Sequence, residues 1–173
     1  NLPSLPAEIP PAGTVSFDVT FSPASADTFY EAITIGSDDP ENPEIEVALS
    51  GIGVAIGLAE AGVFYGSTGS GENGLLITID PDSGTGTLVG PTGLNRVPGL
   101  AINSSGAIYG VDGNNGDLYL IDADSGRAIL IGKTGVDWIP ALAFDNEDVL
   151  YGLGMTYDEE QWNLYTIDLV TAR

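Results

Sequence analysis

The chain has 173 residues, with 25 Asp or Glu against four Lys or Arg, a formal net charge of −21. Such a surface repels phosphate backbones, because nucleic-acid affinity comes largely from cations that displace counterions, and it has no electrostatic grip on anionic lipid. Histidine and cysteine do not occur, which removes the usual general base, Ser-His-Asp catalysis, disulfides and thiolate metal sites. Hydrophobic residues at 43% are enough for a packed core, and 24 Gly with 11 Pro suit strands joined by tight turns. No run approaches the ~20 consecutive apolar residues that cross a bilayer.

Residues 1–13 carry four prolines and read as an extended entry segment. TVSFDVTF (14–21) then alternates, with Val15, Phe17, Val19 and Phe21 on one side, which predicts a half-buried strand. A second strand is predicted through Ala32, Ile33 and Ile35, closed by the turn-rich GSDDPENP (36–43). A third sets Ile45, Val47 and Leu49 against Glu44, Glu46 and Ala48. Three such strands suit one side of a β-sandwich. The segments PAGTVSFDVTFSP, ITIGSDDPENP and VALSGIGV together resemble the C-terminal half of the ASH/Hydin-like (choice-of-anchor D type) immunoglobulin-like modules of bacterial surface proteins. The resemblance implies that residues 1–54 are the C-terminal part of an immunoglobulin-like sandwich. A whole sandwich takes about 100 residues, so its opening strands are expected before Asn1 in a longer protein or from another chain.

From residue 55 the chain repeats itself. Tyr-Gly pairs fall at 65–66, 109–110 and 151–152, and a strand ending in Ile-Asp recurs as LLITID (75–80), LYLID (118–122) and LYTID (164–168). The turns PDSGTGTLVGPTG (81–93) and ADSGRAILIGKTG (123–135) match, as do VPGLAINSSGAIYG (97–110) and IPALAFDNEDVLYG (139–152). One unit reads as four strands, GLAIN (99–103), AIYGVD (107–112), DLYLID (117–122) and RAILIG (127–132). A period of about 40–45 residues holding four short strands predicts propeller blades. The strands are apolar on both faces, as blades covered on each side require. The unit resembles extracellular bacterial propeller repeats, similar in form to quinoprotein-like and kelch-like propellers. That resemblance implies blades near 57–93, 97–135 and 139–173 within a propeller region spanning 55–173. The expected fold is therefore all-β, a partial immunoglobulin-like β-sandwich followed by about three four-stranded propeller blades. Closed propellers carry about four to eight blades, so the chain is expected to be a window on a longer protein.

Candidate chemistry is sparse. DGNNGD sets Asp112, Asn114 and Asp117 between two strands, the oxygen-ligand types that calcium takes, although Asn-Gly is also ordinary hairpin-turn chemistry. The repeated IDPDSG and IDADSG turns predict Asp side chains capping backbone amides. The acidic tips DNED (145–148) and DEE (158–160) read as solvated. GSTGSGENG (66–74) lacks the lysine of a phosphate-binding loop, and Lys133 sits in a repeated turn. Tyr65, Tyr109, Tyr119, Tyr151 and Tyr165 recur with the repeat and are expected to pack between blades. Trp138 and Trp162 lie outside the repeat consensus, and Trp162 follows the inserted TYDEEQ (156–161), so both are candidate ligand contacts. These readings imply a secreted or cell-surface modular protein that is not an enzyme, with the sandwich as spacer and the propeller as interaction platform. Its expected partners are a protein or glycan at the cell surface, or itself, without nucleic acid or membrane insertion. Calcium is the one candidate cofactor. Two other readings stand beside it: a filament subunit completed by strand exchange, and a calcium-dependent carbohydrate-binding propeller.

Overall fold

Alternation and turn chemistry translate into a chain of short antiparallel strands. The structure, a computed structural model, describes residues 7–21, 23, 25–68, 74–158 and 161–173. These residues are all-β, arranged as four small antiparallel sheets, and they contain no helix long and apolar enough to cross a membrane. The chain divides into two compact units, Asn1–Ala55 and Ile56–Arg173.

The first unit is built on one hairpin, β1 (Thr28–Gly36) and β2 (Glu44–Ile52), in continuous register from Thr28↔Ile52 to Gly36↔Glu44. Its turn is closed by Ser37 N–H donating to the Pro43 carbonyl (2.8 Å) and by the Asp39 carboxylate accepting from Glu41 N–H (2.8 Å). Residues 14–21, expected as a strand, are not one. Alternation specifies which side chains share a face, but a strand also needs a ladder partner, and β1 and β2 pair only with each other. The segment instead touches the hairpin through a side chain, with the Phe21 ring edge-on to Phe29 at 5.8 Å. Nor is β2 half-buried as its alternation suggested, since Ile45 and Val47 remain exposed. Two strands cannot bury a face without a second layer.

The second unit holds three sheets in chain order. The first comprises β3 (Phe64–Ser67), β4 (Leu75–Ile79) and β5 (Gly86–Pro91). The second comprises β6 (Leu100–Ile102), β7 (Ile108–Val111), β8 (Leu118–Ile121) and β9 (Ala128–Gly132). The third comprises β10 (Trp138–Phe144), β11 (Leu150–Met155) and β12 (Trp162–Ile167). Each is a simple antiparallel meander. One expected strand is missing: Gly57–Ala59, which should open the first unit of the repeat, does not pair with β3. Its backbone goes to turns beside the second sheet, with Ala59 N–H on the Gly106 carbonyl (2.8 Å) and the Gly57 carbonyl accepting from Ala123 N–H (3.0 Å).

Both faces of the second sheet are covered, and β7 is buried at every position. On one side Ile108 and Ile121 join Leu76 of the first sheet and Val97 in a single cluster. On the other, Tyr109, Val111 and Leu118 meet Val136, Ile139, Leu150 and Ile167. The Ile-Asp motif aligns Leu76, Leu118 and Leu164. Leu76 and Leu118 are fully buried against the sheet that follows, and each is succeeded by a register shift toward the outer strand. Leu164 is 69% exposed. Truncating a buried leucine removes about 2–5 kcal/mol, whereas surface changes stay within about 0.5 kcal/mol. Leu118→Ala is therefore expected to lower the unfolding midpoint in denaturant sharply, and Leu164→Ala to leave it nearly unchanged.

Candidate functional site

The meander puts the β6–β7 and β8–β9 turns at one end of the second sheet, and the β7–β8 loop with the connection to β10 at the other. Turns at the first end share one design. An Asp or Asn accepts the N–H two residues on: Asp82 on Asp80 (2.8 Å), Ser105 on Asn103 (3.2 Å), Asp124 on Asp122 (2.9 Å), Glu147 on Asp145 (2.9 Å) and Val170 on Asp168 (3.0 Å). Three or four residues after that acceptor the backbone turns left-handed, which glycine enters without steric cost. Gly84, Gly106 and Gly126 take this place, but Asp148 (φ 60°) and Ala172 (φ 63°) depart from it. Asp148 has a use there: its carboxylate accepts from both the backbone N–H and the hydroxyl of Ser104, tying the third sheet to the second. The sequence signal was an Asp at the position where the sister turns have Gly62 and Gly106.

These hydrogen bonds set the acidity of the turn carboxylates. Ser83 N–H, then Asp82 N–H, holds Asp80 below the usual carboxylate range. Asp168 is lowered likewise by Thr171 and Val170, and Asp148 by the Ser104 hydroxyl and N–H. For Asp122 burial acts upward and is outweighed by donation from Ser125, Gly57 and Asp124.

At the opposite end lie the candidate site residues. Asp112 and Asp117 are joined through the backbone, Asp112 N–H to the Asp117 carbonyl (3.0 Å). The Asp112 carboxylate accepts from Asn114 N–H (2.9 Å), and Asp117, buried, accepts from the Asn115 side-chain amide (2.9 Å). Asn114 thus contributes its backbone to this turn. Among the described residues no group of three or more acidic side chains converges on a common point. Arg96, which the sequence did not single out, donates to the Gly113 carbonyl from Nε (3.1 Å) and from a terminal guanidinium nitrogen (2.6 Å), fixing the same loop.

The structure does bring Trp138 and Trp162 together. Met155 pairs with Trp138 on one side and with Trp162 on the other, so the three occupy one row across the end of the third sheet. The indoles lie 5.4 Å apart, inclined at 56°, and Trp162 is about half exposed at 49%. Asp137, beside them, accepts Tyr157 N–H (2.7 Å) and so anchors the start of the inserted loop. Residues 159 and 160 of that loop, like 69–73 of the glycine-rich segment, lie outside the described residues. At the aligned positions the second sheet has Arg96 and Gly116, so the aromatic pair belongs to the third sheet alone.

No family model matches the chain, and no curated protein does. Among solved structures, one similar chain is a candidate 6-phosphogluconolactonase from Bacteroides fragilis, at 16% identity and a TM-score of 0.42. The match covers 64% of this chain and 33% of that one, so this chain spans about a third of its length. That neighbour is named as an enzyme, and the expectation that this chain is not one is withdrawn: missing His and Cys exclude particular mechanisms, not catalysis. A likeness this weak transfers no activity in return.

The lowered carboxylates give a pH prediction. A group whose pKa falls on folding stabilises the fold above its unfolded value, near 4, and that contribution is lost as pH drops through the folded value. Asp122→Asn retains the accepting oxygen and removes the charge. It is expected to flatten the acid limb of the melting temperature against pH below about pH 4, whereas Asp122→Ala lowers the melting temperature at neutral pH as well.

Proposed function

We propose that this chain belongs to a secreted or surface-displayed modular protein, in which residues 1–54 are part of an immunoglobulin-like spacer and the stacked sheets are blades of a β-propeller. The end of the third blade carrying Trp138 and Trp162 holds a protein or glycan partner. The observation behind this reading is the tryptophan pair. A protein with two tryptophans sets both side by side at one sheet end, one of them half exposed, next to a loop longer than its counterpart in the second sheet. Aromatic side chains of this kind supply large, rigid contact area at little entropic cost, and they dominate binding energetics where they occur. The surrounding surface favours neutral or cationic partners, since a net charge of −21 penalises anionic ones. The propeller reading is supported by the repeat and by sheets that are apolar on both faces.

Because all indole fluorescence comes from this site, binding is directly readable. Titration with a panel of neutral glycans and basic peptides is expected to shift or quench tryptophan emission for one of the two classes. Trp162→Ala should weaken that ligand by roughly 30-fold, the effect of losing about 2 kcal/mol at an aromatic hot spot. An unchanged affinity in both Trp138→Ala and Trp162→Ala would remove the proposal.

A further inference from the structure

The internal packing of the second unit points to an interface that the described chain leaves open at both ends. Each sheet has a forward face, turned to the sheet that follows, and a backward face, turned to the one before. The repeat aligns these faces residue by residue. On the forward face Ala101, Tyr109, Val111 and Leu118 of the second sheet correspond to Ala143, Tyr151, Leu153 and Leu164 of the third. The second sheet's set is buried under β10 and its neighbours. In the third, Leu153 is 42% and Leu164 69% exposed. On the backward face Leu100, Ile108 and Ile121 of the second sheet, packed against Leu76, correspond to Leu58, Phe64 and Ile79 of the first. Of these, Leu58 and Phe64 are 50% and 58% exposed.

The two open faces are therefore the two halves of one interface that the molecule already forms twice. The forward face offers a leucine that, in both internal interfaces, inserts against the aliphatic residues of the next backward face. The backward face presents that aliphatic set, with Phe64 where the second and third sheets have Ile108 and Leu150. We propose that the forward face of the third sheet docks the backward face of the first sheet in a second copy of this chain, head to tail. Such a contact is heterologous: it joins two different surfaces and propagates, closing into a ring where the rotation allows. Its occupant is specified by continuity, since each equivalent face inside the molecule is covered by another sheet of the same repeat. It does not depend on the ligand assigned to the tryptophan pair.

Heterologous contacts have a test that symmetric ones fail. In sedimentation velocity over a concentration series the chain is expected to self-associate beyond a dimer. Leu164→Asp and Phe64→Asp, each at an exposed position, are each expected to give monomers with unchanged melting temperatures. Mixed together, each variant supplies the face the other has lost, so the mixture is expected to form a one-to-one dimer that grows no further. A wild-type chain that stays monomeric throughout overturns the proposal, as does self-association that survives Phe64→Asp, or a mixture of variants that stays monomeric. Repeating the fluorescence titration on monomeric Leu164→Asp separates the two readings, because ligand binding there is independent of assembly.

Discussion

The second unit depends on one constraint, that its sheets are apolar on both faces. A sheet of this kind cannot sit at a surface as half of a sandwich does, and it is stable only between two others. The second sheet meets the requirement: β7 is wholly buried, and Leu118 and Ile121 of adjacent β8 point to opposite sides into different clusters. Burying a side chain of this size is worth about 1.5–3 kcal/mol, and in the second sheet that gain is made on both faces. The exposed Phe64 and Leu164 show the same design where a neighbour is lacking.

Short strands packed this densely need sharp reversals at both ends, and the turns supply them with carboxylates. Each Asp or Asn accepts backbone N–H groups that the ladder leaves unpaired, so much of the acidic character of the chain serves backbone satisfaction. Among the described residues no buried side-chain nitrogen or oxygen is left without a partner. The same economy explains why the acidic loops look like metal sites in sequence. Asp112 and Asp117 are committed to their own loop, which Arg96 braces from the preceding connection. The third sheet replaces this brace with the Trp138–Trp162 pair, and it is there that the surface becomes distinctive.

The strands of the repeat were legible because two independent signals coincide: runs apolar on both faces, and Asp-Ser-Gly or Asn-Gly turns at fixed offsets. Four predicted strands over 99–132 contain β6 to β9 with boundaries shifted by one residue or so. Where one signal stood alone it failed. TVSFDVTF alternates well, yet alternation names a face without naming the strand that pairs with it. Gly57–Ala59 matches the repeat in sequence but gives its backbone to turns of the second sheet instead. The pairing of Trp138 with Trp162 follows from a strand register that runs through Met155, which no local pattern discloses. The Asp148–Ser104 link was visible only as an Asp in a glycine position, and its partner lies 44 residues away.

The central claim, that cover on both faces holds this chain together, is tested most directly by hydrogen–deuterium exchange resolved to individual strands. Amides of β7 and β8 are predicted to exchange slowest, at the rate of global unfolding. Those of β12, covered on one face, should be faster, and those of the β1–β2 hairpin fastest. Protection in β1 and β2 equal to that in β7 and β8 would contradict the account, because it would mean that stability does not follow the covering of faces.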